Sequence, residues 1–174
     1  MIQERLKELR AQMQERGIDI YIVPTSDFHQ SEYVGEYFKA RKYMTGFTGS
    51  AGTAVITKEE AGLWTDGRYF IQAEKQLEGS TVKLFKMGEE GVPKVEEYVK
   101  DHLTEGSCIG FDGRVMDAKS GEKYAKMAEE KKAALYVKED LVGNIWKDRP
   151  QLPANKVWIL EDAYAGRSMA DKIA

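Results

Sequence analysis

Asp27, His29, Ser31 and Glu32 stand close together, directly after an apolar run, and offer a base, a hydroxyl and two acids. A nucleophile–base pair of Ser31 with His29 is conceivable, but no third residue that would orient the histidine is identifiable. The alternative is a loop whose Asp and Ser side chains hydrogen-bond its own backbone. A second stretch, Gly46-Phe47-Thr48-Gly49-Ser50-Ala51-Gly52, has backbone N–H groups that could cradle an anion. It lacks the lysine of a P-loop and the glycine spacing of a dinucleotide-binding turn, and it runs into a strand-like segment instead of a helix. Thr48 also stands where a serine-hydrolase elbow needs its first glycine. The remaining reading is a tight turn that lets two backbones pass closely. In the third stretch, Trp64 to Phe70, Asp66 is suited to cap a helix and Arg68 to project from its first turn. A guanidinium there can grip a carboxylate bidentately or pair within the chain, with Asp66 the nearest acid; spacing alone leaves both open.

Metal chemistry has little to work with. Cys108 is the single cysteine, which excludes an internal disulfide and a multi-thiolate zinc site. The two histidines, His29 and His102, exclude a three-histidine site and lie far apart in sequence. There is no His-Glu-x-x-His and no calcium-loop pattern. The 29 acidic residues are scattered among lysines, as on solvated helix faces. A net charge of -3 argues against a broad nucleic-acid-binding face. No apolar run approaches the roughly 18–20 residues of a membrane span. The alternating start MIQERLKELRAQMQERG is not a secretory signal, so a cytoplasmic location is expected.

The elements that must position these residues follow from periodicity. Ile2, Leu6, Leu9 and Met13 form one helical stripe, which Gly17 can terminate. Ile18 to Val23 reads as a buried strand ending at Pro24. Phe38 to Tyr43 suggests a helical turn. Gly52 to Thr57 and Ala61 to Asp66 predict a hairpin, hence an antiparallel pair. Arg68 to Leu77 reads as a helix stopped by Gly79, and Thr81 to Lys86 as a strand. Pro93 suits the first turn of a helix reaching about Leu103. Ser107 to Phe111 and Ala134 to Val137 are strands around a helix capped by Asp117, with Tyr124, Met127 and Ala128 on its inner face. A short helix from Asp140 carries Leu141, Ile145 and Trp146. About six strands and about five helices predict an α/β domain with a mixed sheet flanked by helices.

The 174 residues leave a remainder beyond one domain. Residues 1–149 form that domain, and the proline-marked stretch 150–155 reads as a linker. Residues 156–174 read as the truncated start of a second domain. Lys156 to Leu160 is strand-like, and Ser168 is placed to cap a helix that begins at Met169.

Taken together, IYIVPTSDFHQSEY, YMTGFTGSAGTAVIT, LWTDGRYFIQAEKQL, LFKMG and LVGNIWKDRPQLP resemble the N-terminal region of cytosolic Xaa-Pro aminopeptidase (aminopeptidase P), the three-domain form. The resemblance implies the creatinase/prolidase N-terminal fold, ribonuclease H-like, then a second domain of the same kind and a pita-bread catalytic domain. That last domain would hold two metal ions, typically manganese, on two Asp, one His and two Glu, all beyond Ala174. The implied activity removes the N-terminal residue from peptides with proline in second position. This chain would contribute no catalytic residue and no metal ligand; it would shape substrate access and assembly. Arg68 is the residue implied to reach toward substrate, with His29 and Tyr69 as further candidates. Implied partners are the downstream catalytic domain, the peptide substrate and a second copy, with no nucleic acid and no membrane. The alternative is a peptidase-like module that holds peptides or proteins without catalysis. Prolidase and creatinase fit less well, because Asp-x-His-x-Ser-Glu-Tyr and Gly-Ser-Ala-Gly favour the aminopeptidase.

Overall fold

The computed structural model describes residues 1–174. Six strands form one sheet: β1 (Ile20–Pro24), β2 (Thr53–Thr57), β3 (Ala61–Thr65), β4 (Lys83–Lys86), β5 (Cys108–Phe111) and β6 (Ala134–Tyr136). Their order is β4-β3-β2-β1-β5-β6. β2 runs antiparallel to β1 and β3, whereas β1–β5, β3–β4 and β5–β6 are parallel. Five strands therefore deliver their C-terminal ends to one edge, and β2 delivers its N-terminal end there.

Both faces of the sheet are buried, as parallel pairing demands. Alternation along each strand sorts the side chains. Tyr21, Val23, Ala54, Ile56 and Leu63 point into one core, with Leu6, Leu9 and Met13 of α1 (Ile2–Glu15) and Leu141, Val142 and Ile145 of α6 (Leu141–Ile145). Ile20, Ile22, Val55, Trp64, Ile109 and Phe111 point into the other, with Tyr98 and Val99 of α4 (Val95–His102) and Tyr124, Met127 and Ala128 of α5 (Ala118–Glu130). The first core also takes in α2 (Ala40–Thr45) and α3 (Phe70–Leu77).

Helix ends follow the local chemistry. α1 stops in a Schellman motif: Ile18 N–H donates to Met13 O at 2.8 Å and Gly17 N–H to Gln14 O at 3.2 Å. Gly17 takes φ +66°, the left-handed conformation this motif requires. Asp117 and Asp140 accept from the amides of Ser120 and Gly143, capping α5 and α6.

Several sequence expectations shift. The helical turn at Phe38 to Tyr43 is a 3₁₀ turn, Glu36–Phe38, followed by α2. β4 begins at Lys83, because Gly79 and Thr81 both have positive φ and break the extended chain. Pro93 precedes α4 without entering it; Lys94 is the N-cap. Residues 1–149 hold six α-helices instead of five. Lys156 to Leu160 is not a strand: no partner backbone pairs with it, and Val157 and Ile159 are 99% and 93% exposed. A short helix, α7 (Asp162–Ala165), precedes α8 (Met169–Ile173), whose first turn is capped by Ser168 as expected.

Candidate functional site

The shared sheet edge gathers the loop after β1, the glycine-rich loop before β2, and the turns after β3 and β5. Asp27 organises the first loop. Its Oδ1 accepts the amides of His29 at 2.8 Å and Ser31 at 3.0 Å. The Ser31 amide above all holds the Asp27 carboxyl below the ordinary carboxylate range. No hydrogen bond joins Ser31 to His29, so the conceivable nucleophile–base pair does not form, and the loop is the self-bonded kind. His29 is exposed.

The glycine-rich loop is fixed from two sides. The buried Arg41 guanidinium donates from Nε to Thr25 Oγ1 at 3.0 Å, from Nη1 to Phe47 O at 2.6 Å, and from Nη2 to Gly49 O. Its burial pushes its pKa down to about 10. From α3, Gln76 Oε1 accepts the Thr48 amide at 2.9 Å, and the Gln72 and Gln76 amides donate to Thr48 Oγ1, each at 2.9 Å. At Gly49 a Cβ would lie 2.3 Å from the Phe47 ring and 2.8 Å from the Tyr69 ring. At Gly52 it would lie 2.8 Å from Trp64 O. Close backbone passage, the reading left by elimination, is what the loop provides.

After β3, Asp66 accepts the Arg68 amide at 3.1 Å and caps the 3₁₀ turn Gly67–Tyr69. The same carboxylate grips the Arg68 side chain, Nε at 2.8 Å and Nη2 at 2.9 Å. The pairing lowers the Asp66 pKa and raises that of Arg68. Arg68 remains 70% exposed and its Nη1 stays uncommitted. Its guanidinium lies 5.2 Å from the Tyr69 ring centroid, and the Tyr69 hydroxyl meets Ser50 Oγ at 2.7 Å. Arg68 and Tyr69 thus stand together on the rim, alongside the glycine-rich loop. His29 shares the edge but no hydrogen bond with them.

Two arginines escaped the sequence reading. Arg114 repeats the Arg68 arrangement after β5: Asp112 accepts its amide at 3.0 Å, Nε at 3.0 Å and Nη2 at 2.9 Å. The signal was available as a second Asp-Gly-Arg behind an apolar run. Arg41 had no such signal, since its partners come from distant backbone. Between it and the loops lies a cleft of about 210 Å³, walled by Thr25, Glu32, Lys39, Lys42 and Ser50 among others. No three His, Cys, Asp or Glu side chains come together in a group that could hold a metal ion. No helix is long and apolar enough to cross a membrane.

A mixed six-stranded sheet, helices on both faces and a loop-built edge with exposed arginines define an α/β domain of the creatinase/prolidase N-terminal type. The chain belongs to that family: the model for the creatinase/prolidase N-terminal domain matches residues 5–139. Aminopeptidase P2 of Arabidopsis thaliana is 43% identical over 99% of the chain, and a probable Xaa-Pro aminopeptidase P of Pyrenophora teres f. teres is 47% identical over 97%. The chain spans about a quarter of the length of these relatives, 25% and 26%. Among solved structures, the X-prolyl aminopeptidase of Caenorhabditis elegans, described as a cytosolic enzyme with a di-nuclear active site, superposes with TM-score 0.88 at 33% identity. That match covers 99% of this chain and 30% of the other. The N-terminal domain of the cytoplasmic peptidase PepQ from Mycobacterium tuberculosis H37Rv gives TM-score 0.57 at 26% identity, over 82% of this chain and 98% of that one.

Proposed function

We propose that this chain is the N-terminal, non-catalytic domain of a cytoplasmic Xaa-Pro aminopeptidase that removes the N-terminal residue from peptides with proline in second position. The observation that carries this reading is the superposition on the Caenorhabditis elegans X-prolyl aminopeptidase at TM-score 0.88 over 99% of the chain. The chemistry would belong to a downstream pita-bread domain holding two manganese ions, which when bound would supply Lewis-acid activation for peptide hydrolysis. This chain's part is positioning. Arg68 reaches toward the substrate with its Nη1 donors, held in place by Asp66, and Tyr69 and His29 line the approach. A second copy packs against the same assembly.

In this reading residues 1–149 are the domain, 150–155 the linker, and 156–174 the start of a second domain. The exposed Val157, Trp158 and Ile159 support that division, because an apolar run without a partner in its own domain needs one elsewhere. The test is the full-length protein. It is expected to carry two Asp, one His and two Glu downstream and to cleave Xaa-Pro peptides in a manganese-dependent way. Absence of that ligand set would replace the enzyme reading with a peptide-binding module.

A further inference from the structure

We propose that the cleft beside the glycine-rich loop is a carboxylate-binding site, with Arg41 as its floor and Lys42 on its wall. This assignment does not depend on Arg68 or on the downstream domain.

Arg41 is 3% exposed and has only neutral hydrogen-bond acceptors: the Thr25 hydroxyl and the carbonyls of Phe47 and Gly49. Buried cations are normally paired with an acid, since taking a charge out of water is costly. Part-buried Arg149 pairs with Asp140, part-buried Arg5 and Arg10 donate to carbonyl oxygens alone, and Arg41 is buried more deeply than any of them. Arg41 takes part in no such pair. The buried acids are committed elsewhere, Asp27 to the amides of its own loop and Asp112 to Arg114. A guanidinium has five N–H donors. Nε, Nη1 and Nη2 each spend one, which leaves one N–H on each terminal nitrogen.

The cleft itself is cationic. Lys39 and Lys42 line it with Arg41. Lys39 is paired with Glu36, and Lys42 forms no ion pair. Glu32 is the one acid on the wall; it is exposed and acts on Arg68 at the rim. Hydroxyls of Thr25, Thr48 and Ser50 also line it, and Tyr33, Val34 and Phe38 add an apolar side. One donor on each of two coplanar nitrogens matches the two oxygens of a carboxylate. A volume of about 210 Å³ admits that group with a short stem. The group could come from the C-terminus of a peptide or from an Asp or Glu side chain, and the recognising chemistry is the same.

The test is a titration of the 174-residue chain with sodium acetate, against sodium chloride at equal ionic strength. NMR follows the Arg41 Nε–H and the amides of Gly49 and Ser50. Acetate, and not chloride, is expected to shift these signals saturably. Lys42→Gln should weaken binding about two- to fivefold, the share of a partly exposed charge. Arg41→Lys, which keeps the charge and loses the fork, should abolish saturation; if that variant does not fold, Lys42→Gln carries the test. Next come a short neutral peptide with a free C-terminus, its C-terminal amide, and an amidated peptide with one Glu. Preference for the first over its amide identifies the terminal carboxylate, and binding of the third identifies a side chain. Equal shifts with acetate and chloride, or an unchanged affinity in Lys42→Gln, overturn the proposal.

Discussion

Arg68 is exposed yet held. Asp66 fixes two of its nitrogens and leaves Nη1 pointing free, so the carboxylate sets direction at the cost of local net charge. An arginine oriented in advance loses little entropy when it meets a peptide. On the proposed function, Arg68→Ala in the full-length protein is expected to lower kcat/KM for an Xaa-Pro peptide about tenfold or more, the worth of a charge-assisted hydrogen bond. A change within about twofold, roughly 0.5 kcal/mol, contradicts its substrate role. Asp27 and Asp66 also carry a pH signature. Both carboxyls sit below their ordinary range, Asp27 first through the Ser31 amide and Asp66 first through Arg68. A depressed carboxylate stabilises the fold above its unfolded pKa, near 3.9, and that contribution disappears as pH falls through the folded value. Melting temperature should be level from neutrality to about pH 5 and fall below about pH 4. Asp27→Asn should soften the fall. A melting temperature unchanged to pH 3 would show that these contacts do not hold the edge together.

At the scale of elements, the loop edge depends on how β1 is tied to α6. The buried Tyr21 hydroxyl donates to Glu139 O at 3.1 Å and accepts the Leu141 amide at 3.0 Å. Burial keeps that hydroxyl neutral, well above its usual range. Tyr21→Phe leaves the Leu141 amide unsatisfied inside the core. It should cost about 1–3 kcal/mol in denaturant unfolding, and a loss under about 0.5 kcal/mol would be inconsistent with that tie. Most elements were legible because their apolar spacing met a matching stop. The α1 stripe ended at Gly17, the hairpin turned at Lys58 to Glu60, and α5 began at Asp117. Lys156 to Leu160 misled because β-branched composition marks a strand only when another backbone pairs with it. Arg68 was legible as part of a strand–turn–helix motif, and Tyr69 only through the family resemblance. Arg41 was not, because what makes it special is a set of carbonyls brought to it by the tertiary fold. Arg114 was overlooked although its tripeptide copies that of Arg68.

At the scale of the molecule, the two cores lie within residues 1–149, and the hydrogen bonds of 150–174 are local to that segment. Arg149 closes the domain by donating to Tyr37 O at 2.8 Å and pairing with Asp140. Removing residues 150–174 should therefore shift the melting temperature by no more than about 2 °C, less than the 2–4 °C expected per kcal/mol in a domain of this size. A larger loss would mean that the tail belongs to this domain and not to a second one. The proposed function divides the labour between a chain that positions substrate and a downstream domain that would cleave it. It is tested most directly by incubating the 174-residue chain and the full-length protein, each with Mn²⁺, with the same Xaa-Pro peptide and following release of the N-terminal residue. Turnover is expected from the full-length protein and none above background from the chain. Measurable, manganese-dependent release by the chain alone would contradict it.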